Sequence, residues 1–372
     1  MIIDHRHSKL DVADAEITMV RETLHIAYGH TSHGSQITEG MRGLVTWSGG
    51  GSKYNFNSLG TGWILQLYDY YTDFGHLGMA NDLGNPNRTA WESATRIFLT
   101  SHPTINVIMW SWCGQVANLT AAEVTTYLNL MEGLERDFPG VHFVYFTDYT
   151  NGTSLTSNMA VRNKQIRDYC IANNKILYDF SDIESYDPDG NYFGNKLVND
   201  GCYYDSNGDG TLDANWALSW QSAHPGEWFS CTAAHTQPLN ANMKAYAAWR
   251  MFVELAKIID SGETPMTIEK QLTFSLEVLA PANIFCEVSP ISLSVRKGHP
   301  ANFQITIQSL EDFAGLVGMS LSGLGAGMLA TFGESSFALV AGATKVVPLA
   351  ITTDDATVGA VQLQLNIIGQ ES

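Results

Sequence analysis

The chain is short of positive charge: its 372 residues carry 20 Lys and Arg against 38 Asp and Glu, a net charge of −18. A field of that sign repels polyanions and anionic membrane faces over about a Debye length, roughly 8 Å in physiological salt, so neither nucleic acid nor a membrane is expected as a partner. Long apolar runs are missing too, since no stretch approaches the ~18 consecutive apolar residues of a membrane span. The opening MIIDHRHSKL places charge where a secretory signal carries its apolar core, so an exported form of this chain is one whose signal has already been removed. Cysteine is scarce, at five positions (Cys113, Cys170, Cys202, Cys231, Cys286), which is too few for a disulfide framework. One bridge fits within residues 1–260, and the odd count leaves at least one thiol unpaired or bonded between chains. No C-x-x-C pair and no H-E-x-x-H motif occurs, which removes the commonest zinc and redox signatures.

What is present points to two folded domains. At 45% hydrophobic and 16% charged the chain is too apolar for disorder, and it is too long for one average domain. Short, nearly continuous apolar runs at residues 24–28 (LHIAY), 105–110 (INVIMW), 141–146 (VHFVYF) and 175–180 (KILYDF) read as buried parallel strands. Helical stretches fit between and after them, at 91–99, 121–138, 158–173 and 240–259, the second opened by Thr120 with Glu123 at the capping-box position. This alternation predicts an α/β domain over residues 1–262. After SGETP at 261–265 the pattern becomes period-two, as in Phe303, Ile305 and Ile307 against Asn302, Gln304 and Thr306, and again in Val361, Leu363, Leu365 and Ile367. Residues 263–372 therefore predict an antiparallel β-sandwich. Their phrasing resembles the Ig-like modules appended to many secreted bacterial proteins, and this module is expected to act as a spacer or stabilising unit, with carbohydrate or surface binding as the alternative.

The most informative segment is LHIAYGHTSHGSQITEGM, where a strand breaks into Gly29-His30-Thr31-Ser32-His33-Gly34 before a helical stretch. In open α/β sheets ligands bind beyond the carboxyl ends of the strands, and a helix start there offers N–H donors and a positive dipole end to an oxyanion. Ser32 is thus the candidate nucleophile. A serine hydroxyl needs a base, and His235, just ahead of the last long helix in SCTAAHTQPLNANMKAYAAWRMFVELA, is placed to be one. Gly29-His30-Thr31-Ser32 and His235 together resemble the first and last blocks of the SGNH (GDSL-like) hydrolases over residues 20–260. That resemblance implies a three-layer α/β/α, flavodoxin-like domain and a serine esterase mechanism.

The family carries an aspartate three residues before the histidine, where this chain has Thr232; Glu227, Asp200 and Asp82 are the candidate replacements, beside a Ser-His dyad oriented by a backbone carbonyl. In place of the family's G-x-N-D-like turn stands Ser111-Trp112-Cys113-Gly114-Gln115, so the Gly114 N–H and the Gln115 amide are the expected oxyanion donors. The family's second-block glycine is expected within residues 49–62. Of the histidines flanking Ser32, one of His30 and His33 is expected to line the pocket and the other to be structural, with a catalytic zinc the lesser alternative. Trp112 and the aromatics Trp47, Tyr54, Phe56, Trp63 and Trp110 are candidates for a substrate platform, with buried core as the competing expectation for each.

Residues 205–213 (DSNGDGTLD) resemble the first nine positions of an EF-hand-type calcium loop, with Asp205, Asn207, Asp209 and Asp213 as side-chain ligands, the Thr211 carbonyl and a glycine at position six. The twelfth position is Trp216 instead of a bidentate glutamate, which suits a structural Ca²⁺ better than a sensor. The expectation is a secreted or extracellular esterase acting on small-molecule or polysaccharide esters. Its rival is a non-catalytic carbohydrate- or surface-binding protein on the same shell.

Overall fold

A computed structural model describes residues 1–60, 63–69, 80–261, 271–279, 283–289, 292–296, 301–310, 313–324, 328–352 and 359–371. It separates into two units, Met1–Met266 and Thr267–Ser372. The expected boundary after residue 262 lies outside the described residues.

The first unit is built on a seven-stranded sheet in which every described pairing is parallel. Its central strands are β2 (His25–Gly29), β4 (Leu65–Asp69), β5 (Val107–Trp110), β6 (His142–Phe146) and β7 (Ile176–Tyr178), with short β1 (Ile2–Ile3) and β3 (Phe56–Asn57) at the edges. The spatial order is β1-β7-β6-β5-β2-β4-β3. Numbering the five central strands by sequence, that order is 2-1-3-4-5, which reverses direction between β2 and β5 and opens a crevice beyond their carboxyl ends. Two groups of helices pack among themselves: α1 (Asp14–Thr23), α2 (Ser35–Thr46) and α8 (Pro238–Asp260), then α3 (Ala90–Ser101), α4 (Ala121–Asp137) and α5 (Asn158–Ala172). Because the crossovers within each group step along the sheet in one direction, right-handed connection assigns each group to its own face. Both faces are thus covered, which is why these strands read as unbroken apolar runs, β5 and β6 being buried at every position.

The expected strands and helices fall on β2, β5, β6 and β7 and on α3, α4, α5 and α8, and the Thr120–Glu123 capping box is formed as read. β4 was not foreseen, and Phe180, read as the end of a strand, instead opens the short helix α6 (Phe180–Ile183) behind its Asp179 cap. Two glycines are fixed by crowding. A Cβ on Gly29 would lie 2.2 Å from the Trp110 ring, and one on Gly40 would lie 2.1 Å from the Ala241 carbonyl, where α2 crosses α8. α8 also buries a charge: Lys244 Nζ lies 2.5 Å from Glu184 Oε1 with both side chains fully enclosed, and it reaches the Gln36 side-chain oxygen as well. Such a pair is costly to bury and costlier to break on one side.

The second unit has a five-stranded sheet of β12 (Ser292–Arg296), β10 (Gln271–Leu279), β18 (Gly359–Glu371), β14 (Gly315–Ser322) and β16 (Ser336–Leu339). Its other sheet has four strands, β11 (Ile284–Ser289), β13 (Ala301–Ser309), β17 (Thr344–Thr352) and β15 (Leu329–Phe332). Phe303, Ile305 and Ile307 of β13 share one core with Val317, Leu363, Leu365 and Ile367 of the other sheet, so the unit is a sandwich. Its pairings are antiparallel except β10 with β18, which is parallel and corrects the expectation of a wholly antiparallel module. All five cysteines are free, so the intrachain bridge considered for residues 1–260 is not formed. No described helix is long and apolar enough to cross a membrane.

Candidate active site

Residues 30–34 follow β2 and residues 111–116 follow β5, so both segments enter the crevice at the point where the strand order reverses. There Ser32 Oγ lies 3.1 Å from His235 Nε2, across 203 positions of sequence. His235 is solvent-exposed and holds a left-handed backbone, φ +65°, a conformation that costs a residue with a side chain and that clusters at functional sites. The stretch before it is tied to α2, because the Gln36 amide donates to the Ala234 carbonyl at 2.6 Å while its oxygen accepts from buried Lys244. His235 is thereby positioned from the core although its ring faces water.

None of the three candidate acids hydrogen-bonds His235. Asp200 is bound instead to His33, whose Nε2 lies 3.0 Å from Asp200 Oδ2. Asp82 accepts from Thr31 Oγ1 at 2.7 Å, from the Gln115 amide at 3.0 Å and from the Gly84 N–H at 2.8 Å. Glu227 lies in the exposed turn after α7 (Trp216–Ala223), where its N–H donates to the His224 carbonyl. The ring of His235 rests on His33, centroids 4.4 Å apart, and His33 is stacked from its other neighbour Tyr149 at 4.0 Å.

The expected oxyanion donors are otherwise engaged. Gly114 N–H donates to both oxygens of Asp148 at 3.0 and 3.1 Å, and the Gln115 amide is held by Asp82 while its oxygen accepts from Cys113 N–H. These two residues shape the turn that presents Cys113. Gly84 belongs to the same cradle, since a Cβ there would come within 2.4 Å of the Gln115 side chain. The glycine expected within 49–62 is misplaced as well: that loop precedes β4, at the opposite edge of the sheet from the crevice, because β4 runs parallel to β2. Residues 61–62 lie outside the described residues.

The histidine pair, both buried, resolves by partners. His30 is enclosed against Asp69, Nε2 to Oδ1 2.5 Å, with Arg42 on the other carboxylate oxygen, and serves the core. His33 belongs to the site. Trp112 is core and not a substrate wall, with its Nε1–H donated to the Phe146 carbonyl; Trp110 and Tyr54 are buried likewise, and Trp63 is exposed ahead of β4, away from the crevice.

Sequence reasoning passed over Cys113. Its sulfur lies 3.0 Å from His33 Nδ1 and 3.5 Å from Ser32 Oγ, and the Thr31 hydroxyl and the His33 N–H also face it. Burial raises the thiol's pKa, but these donors outweigh it and bring it down to about 7 from 9. His33 is the complement: burial lowers its pKa, but hydrogen bonds to Asp200 and Cys113 raise it to about 9. Asp148, which anchors the Cys113 turn through the N–H groups of Gly114, Val116 and Tyr149, is pushed up to about 6 by burial.

Ligand atoms of His33, Asp200 and His235 lie within 4.8 Å of one another, as do those of Asp4, His5 and Asp182. The first set is a poor chelate, because two imidazoles stacked with planes 11° apart direct their in-plane lone pairs side by side instead of onto one ion. In the hairpin between β8 (Tyr203–Tyr204) and β9 (Ala214–Asn215), Asp205 accepts the N–H groups of Asn207, Gly208 and Gly210, Asn207 that of Asp209, and Asp209 that of Thr211. Asp213 takes the Ser206 N–H and hydroxyl. Gly208 and Gly210 hold left-handed φ, +86° and +87°, supplying the sharp turn. The donors are all oxygen, as Ca²⁺ requires, while Trp216 is buried and provides none.

A cavity of about 260 Å³ is lined by Tyr149, Asn163, Arg167, Ser181 and Asp182 among others, and its lining does not include Ser32 or His235. No protein-family model matches the chain, and no curated protein matches it.

Proposed function

We propose that the first unit is an acyl hydrolase of carboxylic esters, SGNH-like in its flavodoxin-type strand order and in its pairing of a post-strand serine with a histidine ahead of the last helix. The observation that carries this reading is the 3.1 Å approach of Ser32 Oγ to His235 Nε2 at the crevice of a parallel sheet. In the reaction His235 takes the Ser32 proton as Oγ attacks the ester carbonyl, then returns it to the leaving alcohol; water repeats the cycle to release the acid. The backbone N–H of Ser32, in the turn ahead of α2, is the proposed oxyanion donor, with the positive end of that helix (Ser35–Thr46) behind it. His235 works as a dyad partner oriented by its stack on His33 and by the Gln36 tether of its loop. We assign acetyl or other acyl esters on carbohydrate as the substrate class, with an Ig-like second unit on a secreted protein. Ca²⁺ is proposed as a structural ion in the 205–213 hairpin, with Asp205, Asn207, Asp209, Asp213 and the Thr211 carbonyl as its ligands.

The test is p-nitrophenyl acetate turnover by the wild type, Ser32→Ala and His235→Ala. Each variant is expected to lose about 10²–10⁴-fold in kcat/KM. Rates equal to wild type in both, with no labelling by a fluorophosphonate probe and no change in Cys113→Ala, would favour the alternative of a non-catalytic carbohydrate- or surface-binding protein, a reading to which the engaged Gly114 and Gln115 donors lend support.

A further inference from the structure

We propose that Cys113 is a second nucleophile of the crevice, activated by His33 and oriented through Asp200, which accepts an acyl group from an activated ester independently of Ser32. The chain of contacts runs Cys113 Sγ to His33 Nδ1, 3.0 Å, then His33 Nε2 to Asp200 Oδ2, 3.0 Å. It is the nucleophile–base–orienting acid arrangement that His235 lacks. The three groups come from different elements: His33 from the turn after β2, Cys113 from the turn after β5, and Asp200 from the loop ahead of β8.

Surrounding groups favour the anionic form of the sulfur. The His33 Nδ1 and the His33 backbone N–H face it, with Ser32 Oγ 3.5 Å away, and the Cys113 N–H is pinned by Gln115, which is itself held by Asp82. With the thiol lowered to about 7 and His33 raised to about 9, thiolate beside imidazolium is populated at neutral pH. Cys113 and Ser32 are partly exposed, so the sulfur is reachable from the crevice.

The step balances without a further reagent. The Cys113 thiolate attacks the acyl carbonyl, the C–S bond forms, and the C–O bond to the alcohol breaks as His33 gives its proton to the leaving oxygen. Neutral His33 then takes a proton from the water that attacks the thioester, releasing the carboxylic acid and restoring the thiolate–imidazolium pair. An oxo-ester or thioester fits equally, because the leaving group needs only a proton.

The experiment locates the acyl group. Ser32→Ala, with folding checked by circular dichroism, is incubated with p-nitrophenyl acetate, quenched in acid and digested for peptide mass spectrometry. An acetyl group is expected on Cys113, absent in the Ser32→Ala/Cys113→Ala double variant and formed at least tenfold more slowly in Ser32→Ala/His33→Asn. Iodoacetamide alkylation of wild-type Cys113 is expected to follow a midpoint near 7 and to move toward 9 in His33→Asn. No acetyl on Cys113 in folded Ser32→Ala overturns the proposal, and so does an alkylation profile that His33→Asn leaves unchanged. The two nucleophiles are told apart by the labelled residue: acetyl on Ser32 alone leaves the serine reading standing without this one, and acetyl on Cys113 alone does the reverse.

Discussion

At the scale of single residues, the site is decided by which hydrogen-bonding capacities are already spent. Gly114 and Gln115 are the clearest cases, since both have the chemistry of an oxyanion donor and both have given it to an aspartate. Asp148 is the residue on which this depends. Its carboxylate accepts three backbone N–H groups, with Val116 N–H on Oδ2 alone and Tyr149 N–H on Oδ1 alone. In Asp148→Asn one oxygen becomes an amide nitrogen, and at least one buried N–H must face another donor. The expected loss is about 1–3 kcal/mol in urea unfolding. The sign of the pH dependence follows from a folded-state pKa of about 6 against 3.8, raised by burial. The protonated acid is favoured by folding, so its contribution is full below about pH 4 and is lost as the pH rises through about 6. The stability gap between wild type and Asp148→Asn should therefore narrow across that window; a gap that widens would show that Asp148 is not the group responsible. None of this was legible beforehand, because Asp148 follows an apolar strand like many capping aspartates, and only its partners reveal it.

At the scale of elements, buried strands and long helices were the legible part, and the reason is periodicity. The runs that became β5 and β6 are apolar throughout because both sheet faces are covered, and β13 alternates because only one of its faces meets the core. β4 escaped because its sequence, Leu-Gln-Leu-Tyr-Asp, reads as weakly alternating and amid glycines, although its side chains alternate buried and half-buried. The serine and the distant histidine were legible from their places before helices. The Cys113–His33–Asp200 chain was not, because its members sit 80 and 167 positions apart with no spacing that joins them. The 205–213 hairpin was legible by composition alone. It springs directly from Asp200, and Cys202 at its base touches the Thr236 hydroxyl beside His235 at 3.5 Å. An ion seated there would steady both histidines of the site. Removing it with EDTA is expected to lower Tm by about 5–10 °C, the shift that about 2.7 kcal/mol of ligand binding gives a unit of this size, and to lower turnover with it. Added Ca²⁺ should restore both, and Asp205→Ala should be insensitive to either treatment. An unchanged Tm in EDTA removes the ion from the account.

At the scale of the whole molecule, the two units are separate in their cores. Among the described residues, every buried residue of the α/β core lies at or before Ala256, and every one of the sandwich core lies at or after Ile284. Each encloses its own apolar surface, so each has the means to fold alone. The site draws Ser32, His33, Cys113, Asp200 and His235 from the first unit only. Residues 1–266 expressed by themselves should therefore keep p-nitrophenyl acetate turnover within about twofold of the full chain, because all five of these residues remain and a twofold change is under 0.5 kcal/mol. Calorimetry of the full chain should show two transitions, one of them reproduced by residues 1–266. The net charge of −18 adds a second expectation for the intact protein: neutral esters should be turned over at rates that change little with salt, whereas polyanionic esters should be disfavoured at low ionic strength and recover as salt screens the field. A large loss of activity toward the small neutral ester on truncation would mean that the sandwich completes the crevice, and the assignment of the chemistry to the first unit would fall with it.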